Sequence, residues 1–349
     1  MKQVVFAVPG DLSTPTGGYV YDRRIVAELP KSGWQVQVLD IGPSFPRASV
    51  AELAEAHRQL AAVPAGRLVV IDGLAFGVMT ETAEALHRSH KLVALVHHPL
   101  ALETGLPAWE ASKFKISERF ALSFAHRVIT TSATTARILA QDFGVPQQEL
   151  SVVLPGNDRI AIADRAGGDV VNFLAVGSIV PRKGFDVLIA ALGQIPDLAW
   201  RLVIAGDPSR HPATAAALVE QIASLHLEGR VELAGVVSAE RLASLYADAD
   251  LFVLPSRYEG YGMAYTEAIA HGLPVVGTTA GAIPEAVPQG AGVLAPPDNV
   301  NELTLILRRL IGDPDERARL TAGARAAAAT LPTWDDAGRK FAQALDAVA

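Results

Sequence analysis

The sequence predicts an α/β protein made of two Rossmann-like domains, each with a parallel sheet. The chain has 349 residues, of which 50% are hydrophobic and 19% charged, and a globular chain of this length usually forms two hydrophobic cores. Short apolar runs alternate with amphipathic segments, which is the pattern of buried parallel strands joined by helices. The alternation pauses near residue 157 and then begins again, so we expect two domains of similar size.

The first half contains six apolar runs that predict strands. They are QVVFAV, WQVQVLD, RLVVIDG, KLVALVHH, HRVITTS and LSVVLPG. Helix-like segments lie between them, for example TSATTARILAQDFG, which ends in a glycine of the kind that terminates helices. We assign residues 1–157 to an N-terminal domain.

The polar segment 157–169, NDRIAIADRAGGD, predicts a linker, and six more strand-like runs follow it. They are VVNFLAVG, WRLVIAG, RVELAG, DLFVLPS, LPVVGT and AGVLAP. We assign residues 158–332 to a C-terminal domain and residues 333–349 to one further amphipathic helix. Ligands of such domains bind at the carboxyl ends of the strands, so we expect a binding cleft between the domains.

Composition excludes several classes of protein. The chain has no cysteine, which rules out disulfides, thiolate zinc sites and cysteine nucleophiles. A net charge of −7 argues against a nucleic-acid partner, which requires a basic face. The segment MKQVVFAVPGDL predicts a first strand instead of a signal peptide, and no run approaches the roughly 18 apolar residues of a membrane span. We therefore expect a cytoplasmic protein.

Two loops that follow strands have the composition of phosphate-binding loops. Gly17 and Gly18 begin a helix, where backbone N–H groups can approach an anion closely, although an ordinary strand-to-helix turn would look the same. The G-x-G-x-x-G fingerprint of dinucleotide binding is missing. In the second half, Arg182 and Lys183 stand at the start of a helix and suit a diphosphate, and a solvated cationic surface is the alternative.

Two carboxylates flank a glycine-rich turn in the segment 255–276, PSRYEGYGMAYTEAIAHGLPVV. Glu259 and Glu267 could each accept hydrogen bonds from the paired hydroxyls of a ribose or hexose. The turn between them would expose backbone N–H groups at the head of a helix. It comprises Gly260, Tyr261, Gly262 and Met263.

The segment LPSRYEGYGMAYTEAIAHGLPVVGTTAGAIPEAV resembles the hallmark of the retaining glycosyltransferases of family 4, which have the GT-B fold. The resemblance extends over nearly the whole chain, including the Gly-Gly loop, GSIVPRKGFDVLIAAL and LAGVVSAERLASLYADADLFVLPS. It also includes the final helix with Trp334, which in that fold crosses back to the first domain.

The resemblance implies a nucleotide-diphosphate-sugar donor held mainly by the C-terminal domain. Glu267 would bind the ribose, Arg182 and Lys183 the diphosphate, and Glu259 the transferred sugar. His97 matches a family histidine near the reacting carbon of the sugar. The loops that would complete the donor site contain Gly17 and Gly18, whose N–H groups reach the phosphate, Gly177 and Ser178, and the backbone of Gly260, Tyr261, Gly262 and Met263.

Ser178 departs from the family pattern, because many members have arginine after the glycine that we place at Gly177. Arg182 is the candidate to take over that role. Asp248–Asp250 spells the Asp-x-Asp of metal-dependent transferases of another fold, but it lies before a strand, so we expect no metal site and no cofactor. The run SKFKISERFALSFAHR mixes cations with phenylalanines and would either pack on its sheet or lie on an anionic membrane.

These observations favour a metal-independent retaining glycosyltransferase. We expect the acceptor to be a sugar, a lipid-linked molecule or a small molecule, with peripheral contact to the inner membrane face as one option. Cell-envelope polysaccharide, glycolipid or small-glycoside synthesis would employ such an enzyme. A glycoside phosphorylase of the same fold and a nucleotide-sugar-binding protein without turnover are the alternatives.

Overall fold

A computed structural model describes residues 2–162 and 168–349 of the chain. The chain divides into two compact units: unit 1 comprises Met1–Gly156 and Pro332–Ala349, and unit 2 comprises Asn157–Leu331. Residues 163–167, which belong to the predicted linker, lie outside the described residues. No helix of the described chain combines the length and the apolar character needed to cross a bilayer.

Unit 1 is built on a six-stranded parallel sheet with the order β2-β1-β3-β4-β5-β6. Its strands are β1 (Lys2–Val8), β2 (Trp34–Asp40), β3 (Leu68–Asp72), β4 (Lys91–Val96), β5 (Arg127–Thr130) and β6 (Leu150–Val152). Its helices are α1 (Gly17–Glu28), α2 (Val50–Ala61), α3 (Gly73–Phe76), α4 (Thr80–Leu86), α5 (Ala108–Leu122) and α6 (Ala133–Asp142), together with the C-terminal α14 (Trp334–Asp346).

Unit 2 has a second parallel sheet with the order β12-β11-β10-β7-β8-β9. Its strands are β7 (Val171–Val176), β8 (Trp200–Ala205), β9 (Val231–Gly235), β10 (Leu251–Val253), β11 (Val275–Thr278) and β12 (Gly292–Ala295). Its helices are α7 (Phe185–Gly193), α8 (Pro212–Ser224), α9 (Ala239–Asp248), α10 (Met263–Ala270), α11 (Ile283–Ala286), α12 (Val300–Gly312) and α13 (Pro314–Ala328). The predicted α/β class with two parallel sheets is confirmed.

Both sheets have a switch point, where the chain first moves to one side of a strand and later to the other. In unit 1 it lies between β1 and β3, and in unit 2 between β7 and β10. Loops that leave two strands at such a point diverge and open a crevice at the carboxyl ends, where ligands of open α/β sheets bind.

The C-terminal helix α14 completes the core of unit 1. It begins with a capping box, in which Thr333 and Asp336 satisfy each other's backbone N–H groups. Phe341 is fully buried and stacks on Phe6 with ring centroids 6.1 Å apart. A side chain at Gly338 would lie 2.5 Å from the Cβ of Glu28, so glycine permits the close approach of α14 to α1.

We expect Phe341→Ala to lower the free energy of unfolding by about 3–5 kcal/mol, because it removes a buried ring and leaves a cavity. Urea unfolding followed by circular dichroism measures this change. Val50→Ala is the control, since Val50 is 84% exposed. Equal effects of the two substitutions would show that α14 does not contribute to the core of unit 1.

Candidate active site

The loops at the switch point of unit 2 bring together two cations and one carboxylate. Arg182 and Lys183 come from the loop after β7, and Glu259 comes from the loop after β10. Nη1 of Arg182 is 2.8 Å from Oε2 of Glu259, and Nζ of Lys183 is 2.7 Å from Oε1. We call these three residues the unit 2 ion cluster.

Glycine at position 184 allows the two loops to meet. Gly184 has a φ of +68°, a conformation that glycine adopts at no steric cost. A Cβ atom at this position would lie 2.2 Å from the carbonyl oxygen of Pro255, so any side chain would push the loops apart. The single turn that carries Arg182 and Lys183 therefore lies directly against the segment that leads to Glu259.

Glu259 is held rigidly as an anion. Its side chain is only 8% exposed, and the Ser256 hydroxyl donates a further hydrogen bond of 2.8 Å to Oε1. Burial alone would raise the pKa of Glu259, but Lys183 and Arg182 outweigh it and lower that pKa to about 2. The cluster thus has two cations and one anion, which leaves one positive charge at the carboxyl end of the sheet.

The glycine-rich turn leads from this cluster into α10. Gly262 precedes the helix with a φ of +100°, and Met263 begins it. Glu267 lies one turn further along α10, and its charge acts on the buried phenol of Tyr246. Burial, together with the Glu267 charge, raises the pKa of Tyr246 well above its ordinary value, so the phenol remains a donor. Tyr246 is a residue that sequence reasoning missed.

The Asp-x-Asp motif at Asp248–Asp250 has a role in backbone hydrogen bonding within unit 2. Asp250 accepts a hydrogen bond of 2.8 Å from the backbone N–H of Asn172 in β7, while Asp248 is the last residue of α9. Within the described residues, the carboxylate and imidazole groups whose ligand atoms converge within 4.8 Å of one another are those of Asp22, Asp72 and His97. The Asp248–Asp250 pair is not part of such a group.

In unit 1 the structure places His97 beside the Gly-Gly loop. A Cβ atom on Gly18 would lie 3.3 Å from Cδ2 of His97, so the start of α1 lies directly against the ring. Nε2 of His97 is 3.1 Å from Oδ1 of Asp22 and 3.4 Å from Oδ2 of Asp72. Tyr21 packs edge-on against the imidazole at 5.3 Å between centroids.

Asp22 and Asp72 are functional candidates that sequence reasoning missed. Asp72 is the last residue of β3 and therefore carries a signal, because polar residues at the carboxyl ends of strands often face ligands. Asp22 lies on α1 four residues after Gly18, where a carboxylate normally faces solvent. We call Asp22, Asp72 and His97 the unit 1 triad.

The triad shifts the protonation of its members. Burial alone would lower the pKa of His97, but the carboxylates of Asp22 and Asp72 outweigh it and raise that pKa. Burial, aided by Asp72 and opposed by His97, raises the pKa of Asp22. The imidazole therefore holds its proton well above neutral pH.

Comparisons with known proteins identify one family that agrees with the sequence motifs and the observed fold. Residues 164–327 match the profile of the family described as Glycosyl transferases group 1. The MMP alpha-(1->4)-mannosyltransferase of Mycolicibacterium hassiacum is 32% identical over 261 residues, which cover 70% of this chain and 62% of that protein. The chain spans about three fifths of the length of the curated relatives it matches.

Solved structures resemble the whole chain. Sucrose-phosphate synthase from Thermosynechococcus elongatus superposes with a TM-score of 0.84 at 21% identity, covering 99% of both chains. The Anabaena protein HepE, solved in complex with UDP-glucose, gives a TM-score of 0.77 at 20% identity, covering 99% of this chain and 100% of that one. The chain belongs to the group 1 glycosyltransferases, family 4, with the GT-B fold, which confirms the family indicated by the segment 254–287.

Proposed function

We propose that the protein is a retaining glycosyltransferase that moves a sugar from a nucleotide-diphosphate sugar to an acceptor hydroxyl. The unit 2 ion cluster carries this proposal, because it places two cations at the switch point of the sheet that the family profile covers. HepE, which shares the fold, was solved with UDP-glucose. Glu267, whose charge lies close to Tyr246, is the candidate to bind the ribose hydroxyls.

The charge on the cluster suits the leaving group. As the bond between the sugar and the phosphate breaks, negative charge accumulates on the diphosphate, and nearby fixed cations stabilise it in the transition state. An ammonium has three donors and a guanidinium five, so Lys183 and Arg182 can bind Glu259 and phosphate oxygens at the same time. Their side chains are 14% and 19% exposed, so water screens them only partly.

The reaction that follows is a front-face exchange. The bond between the anomeric carbon and the phosphate oxygen breaks, and the acceptor oxygen bonds to the same face of that carbon. The acceptor proton passes to the leaving phosphate oxygen, so the products are the glycoside and the nucleoside diphosphate. Glu259 binds a sugar hydroxyl and is also the counterion of Arg182 and Lys183.

The two glutamates should therefore respond differently to substitution. Glu259→Gln leaves both cations without their anion, so we expect nucleoside diphosphate affinity to stay the same or rise by up to about tenfold, while kcat falls about 10²-fold. Glu267→Gln should weaken binding of the nucleoside diphosphate by about tenfold or more, because a ribose contact is made equally in the ground and transition states. Calorimetry and steady-state rates measure both effects.

Glu220→Gln, an exposed change on α8, is the matched control for this experiment. If Glu259→Gln weakened nucleoside diphosphate binding as much as Lys183→Ala does, Glu259 would act by holding the loop in shape and not as a counterion. If neither glutamate affected binding or rate, the donor site would lie elsewhere in the chain.

Three further measurements distinguish glycosyl transfer from the alternative functions. A thermal-shift series with UDP, GDP and ADP and their sugars identifies the base and the sugar. Release of a sugar phosphate on addition of inorganic phosphate would identify a glycoside phosphorylase. Nucleotide binding without hydrolysis or transfer to any acceptor would identify a binding protein.

The proposed transfer requires no divalent metal, because Arg182 and Lys183 supply the positive charge. We expect rates in excess EDTA to equal those with added Mg²⁺ or Mn²⁺ within about twofold. A loss of activity in EDTA that Mn²⁺ restores would overturn this proposal.

The acceptor side of the proposal concerns an exposed face of α5. Trp109, Ile116 and Phe120 are 69%, 72% and 46% exposed, and they line one groove together with Lys113. Their spacing places them on one side of the helix. Lys113 forms no ion pair within the described residues, whereas Glu110 is paired with Arg47 and Glu118 is buried. Lys115 lies over the ring of Phe143 on another side of the helix. We call the surface that lines this groove the α5 face.

An anionic membrane is the partner that fits the α5 face. Tryptophan, phenylalanine and lysine together suit the boundary between headgroups and acyl chains. Two copies meeting about a twofold axis would set the same cations against each other, which disfavours self-association. The positive charge of the α5 face does not extend to the neighbouring helix α4, which carries the exposed acidic residues Glu81 and Glu84. A lipid-linked acceptor would be presented at such a membrane.

We expect the protein to sediment with vesicles that contain about one third phosphatidylglycerol and not with pure phosphatidylcholine. The triple substitution Trp109→Ser, Ile116→Ser, Phe120→Ser should weaken that binding at least about tenfold. Val219→Ser with Leu305→Ser is the control, since these side chains are 54% and 61% exposed in unit 2. Absence of binding to anionic vesicles, or a dimer in sedimentation that the triple substitution abolishes, would refute the membrane assignment.

A further inference from the structure

The imidazole of His97 is bound by two carboxylates through the same nitrogen. Asp22 approaches Nε2 from α1, and Asp72 approaches it from the end of β3, at 3.1 and 3.4 Å. Nitrogen that accepts a hydrogen bond would repel two carboxylate oxygens, so Nε2 must carry a proton. The orientation of the ring is thus fixed from two sides, by α1 through Asp22 and by β3 through Asp72.

Charge balance favours protonation of the whole ring. Asp22 is fully buried and Asp72 is 2% exposed. Among the described residues, His97 is the basic group that forms an ion pair with either of them. Asp72 also accepts a hydrogen bond of 2.8 Å from the backbone N–H of Leu74, at the start of α3. Two adjacent buried carboxylates without a cation would still be destabilising, because one neutral hydrogen bond does not replace the hydration of both charges. An imidazolium between them offsets that cost.

The second ring nitrogen is then available for a ligand. Nδ1 of His97 makes no hydrogen bond in the described part of the chain, and the side chain is 19% exposed. In a neutral ring whose Nε2 carries the proton, Nδ1 could only accept a hydrogen bond. In an imidazolium it donates, and such a charge-assisted bond is about twice as strong as a neutral one. The start of α1 lies along the other edge of the ring, because a Cβ atom on Gly18 would lie 3.3 Å from Cδ2 and 3.5 Å from Nε2.

We infer that Asp22 and Asp72 are positioning residues that keep His97 an imidazolium and leave its Nδ1–H to donate to an oxygen of a substrate bound at the carboxyl end of the unit 1 sheet. This inference rests on the proposed transfer reaction for its substrate, but its central statement concerns the charge of one ring. Neither aspartate touches the substrate. They act through His97.

The other ionisable groups near His97 leave this inference intact. Tyr21 packs against the ring and is neutral, because burial raises its pKa well above its ordinary value. His98 is engaged with Glu103 at 3.2 Å. Since the pKa of His97 is raised, its proton is fully present below the ordinary value of about 6.5 and is lost only as pH rises through the raised pKa.

An NMR titration of the protein with labelled histidine tests the charge directly, without any assay of activity. The chain has nine histidines, and His97→Gln assigns the relevant signal. We expect His97 in the unsubstituted protein to remain protonated to at least about pH 8. In Asp22→Asn, which keeps the shape but removes a charge, its pKa should fall by at least about one unit. Asp142→Asn, on the surface of α6, should leave it unchanged.

The pH profile of kcat/KM separates positioning from a merely structural role. The unsubstituted enzyme should have no loss of rate that reports His97 below about pH 8. Asp22→Asn and Asp72→Asn should approach its rate at low pH and lose about tenfold for each pH unit above the lowered pKa. A structural defect would instead reduce the rate by the same factor at every pH.

Several results would overturn the inference. His97 that titrates at or below its ordinary pKa in the unsubstituted protein would do so, even if no variant folded. A pKa that stays the same in Asp22→Asn and Asp72→Asn would exclude the two aspartates as its cause. Zn²⁺ or Mn²⁺ that displaces the ring proton and is needed for activity would show a metal site in place of a proton. A protein without transfer activity could still pass the titration, so failure of the proposed function is distinguishable.

Discussion

The contact of Gly184 with the carbonyl oxygen of Pro255 is the constraint on which the unit 2 ion cluster depends. A Cβ atom at position 184 would lie 2.2 Å from that oxygen, so no other residue fits there. Without this close approach the loops after β7 and β10 would not meet. The cluster in turn allows a carboxylate to be buried, because two cations replace the water that Glu259 gives up. The cluster therefore depends on the sheet topology, because β7 and β10 are neighbours in the sheet and the loops that follow them end close together.

Unit 1 also buries charged groups by pairing them with opposite charges, but the signs are reversed. There, one cation lies between two carboxylates, whereas in unit 2 one carboxylate lies between two cations. In both units the groups come from segments far apart in sequence, and each group is buried only because its partners are already in place. Removing one member leaves uncompensated charge, so both clusters constrain the fold as well as any ligand.

The sequence was sufficient for the fold, and it identified those candidate site residues that a local motif marks. Buried parallel strands give continuous apolar runs, so the strands of both sheets were readable, and Arg182, Lys183 and Glu259 lie beside glycine turns that identify the family. The pairing of Glu259 with both cations was not predicted, because it joins loops 76 residues apart. Asp22 was missed for a similar reason: helix periodicity does not reveal that a carboxylate is buried against a histidine from another strand.

Charge balance within each cluster has a consequence for ligand binding. Two bare cations would attract any phosphate, but Glu259 binds both of them, at 2.8 Å from Arg182 and 2.7 Å from Lys183. Under the proposed function, a diphosphate would therefore meet a net charge of only about +1 at this cluster. Inorganic phosphate, which has no other contacts, gains little from such a site. Under the proposed function, the nucleoside would supply the remaining affinity through Glu267 and the ribose, so a cluster that holds its own counterion would favour a nucleotide-linked sugar over simple anions.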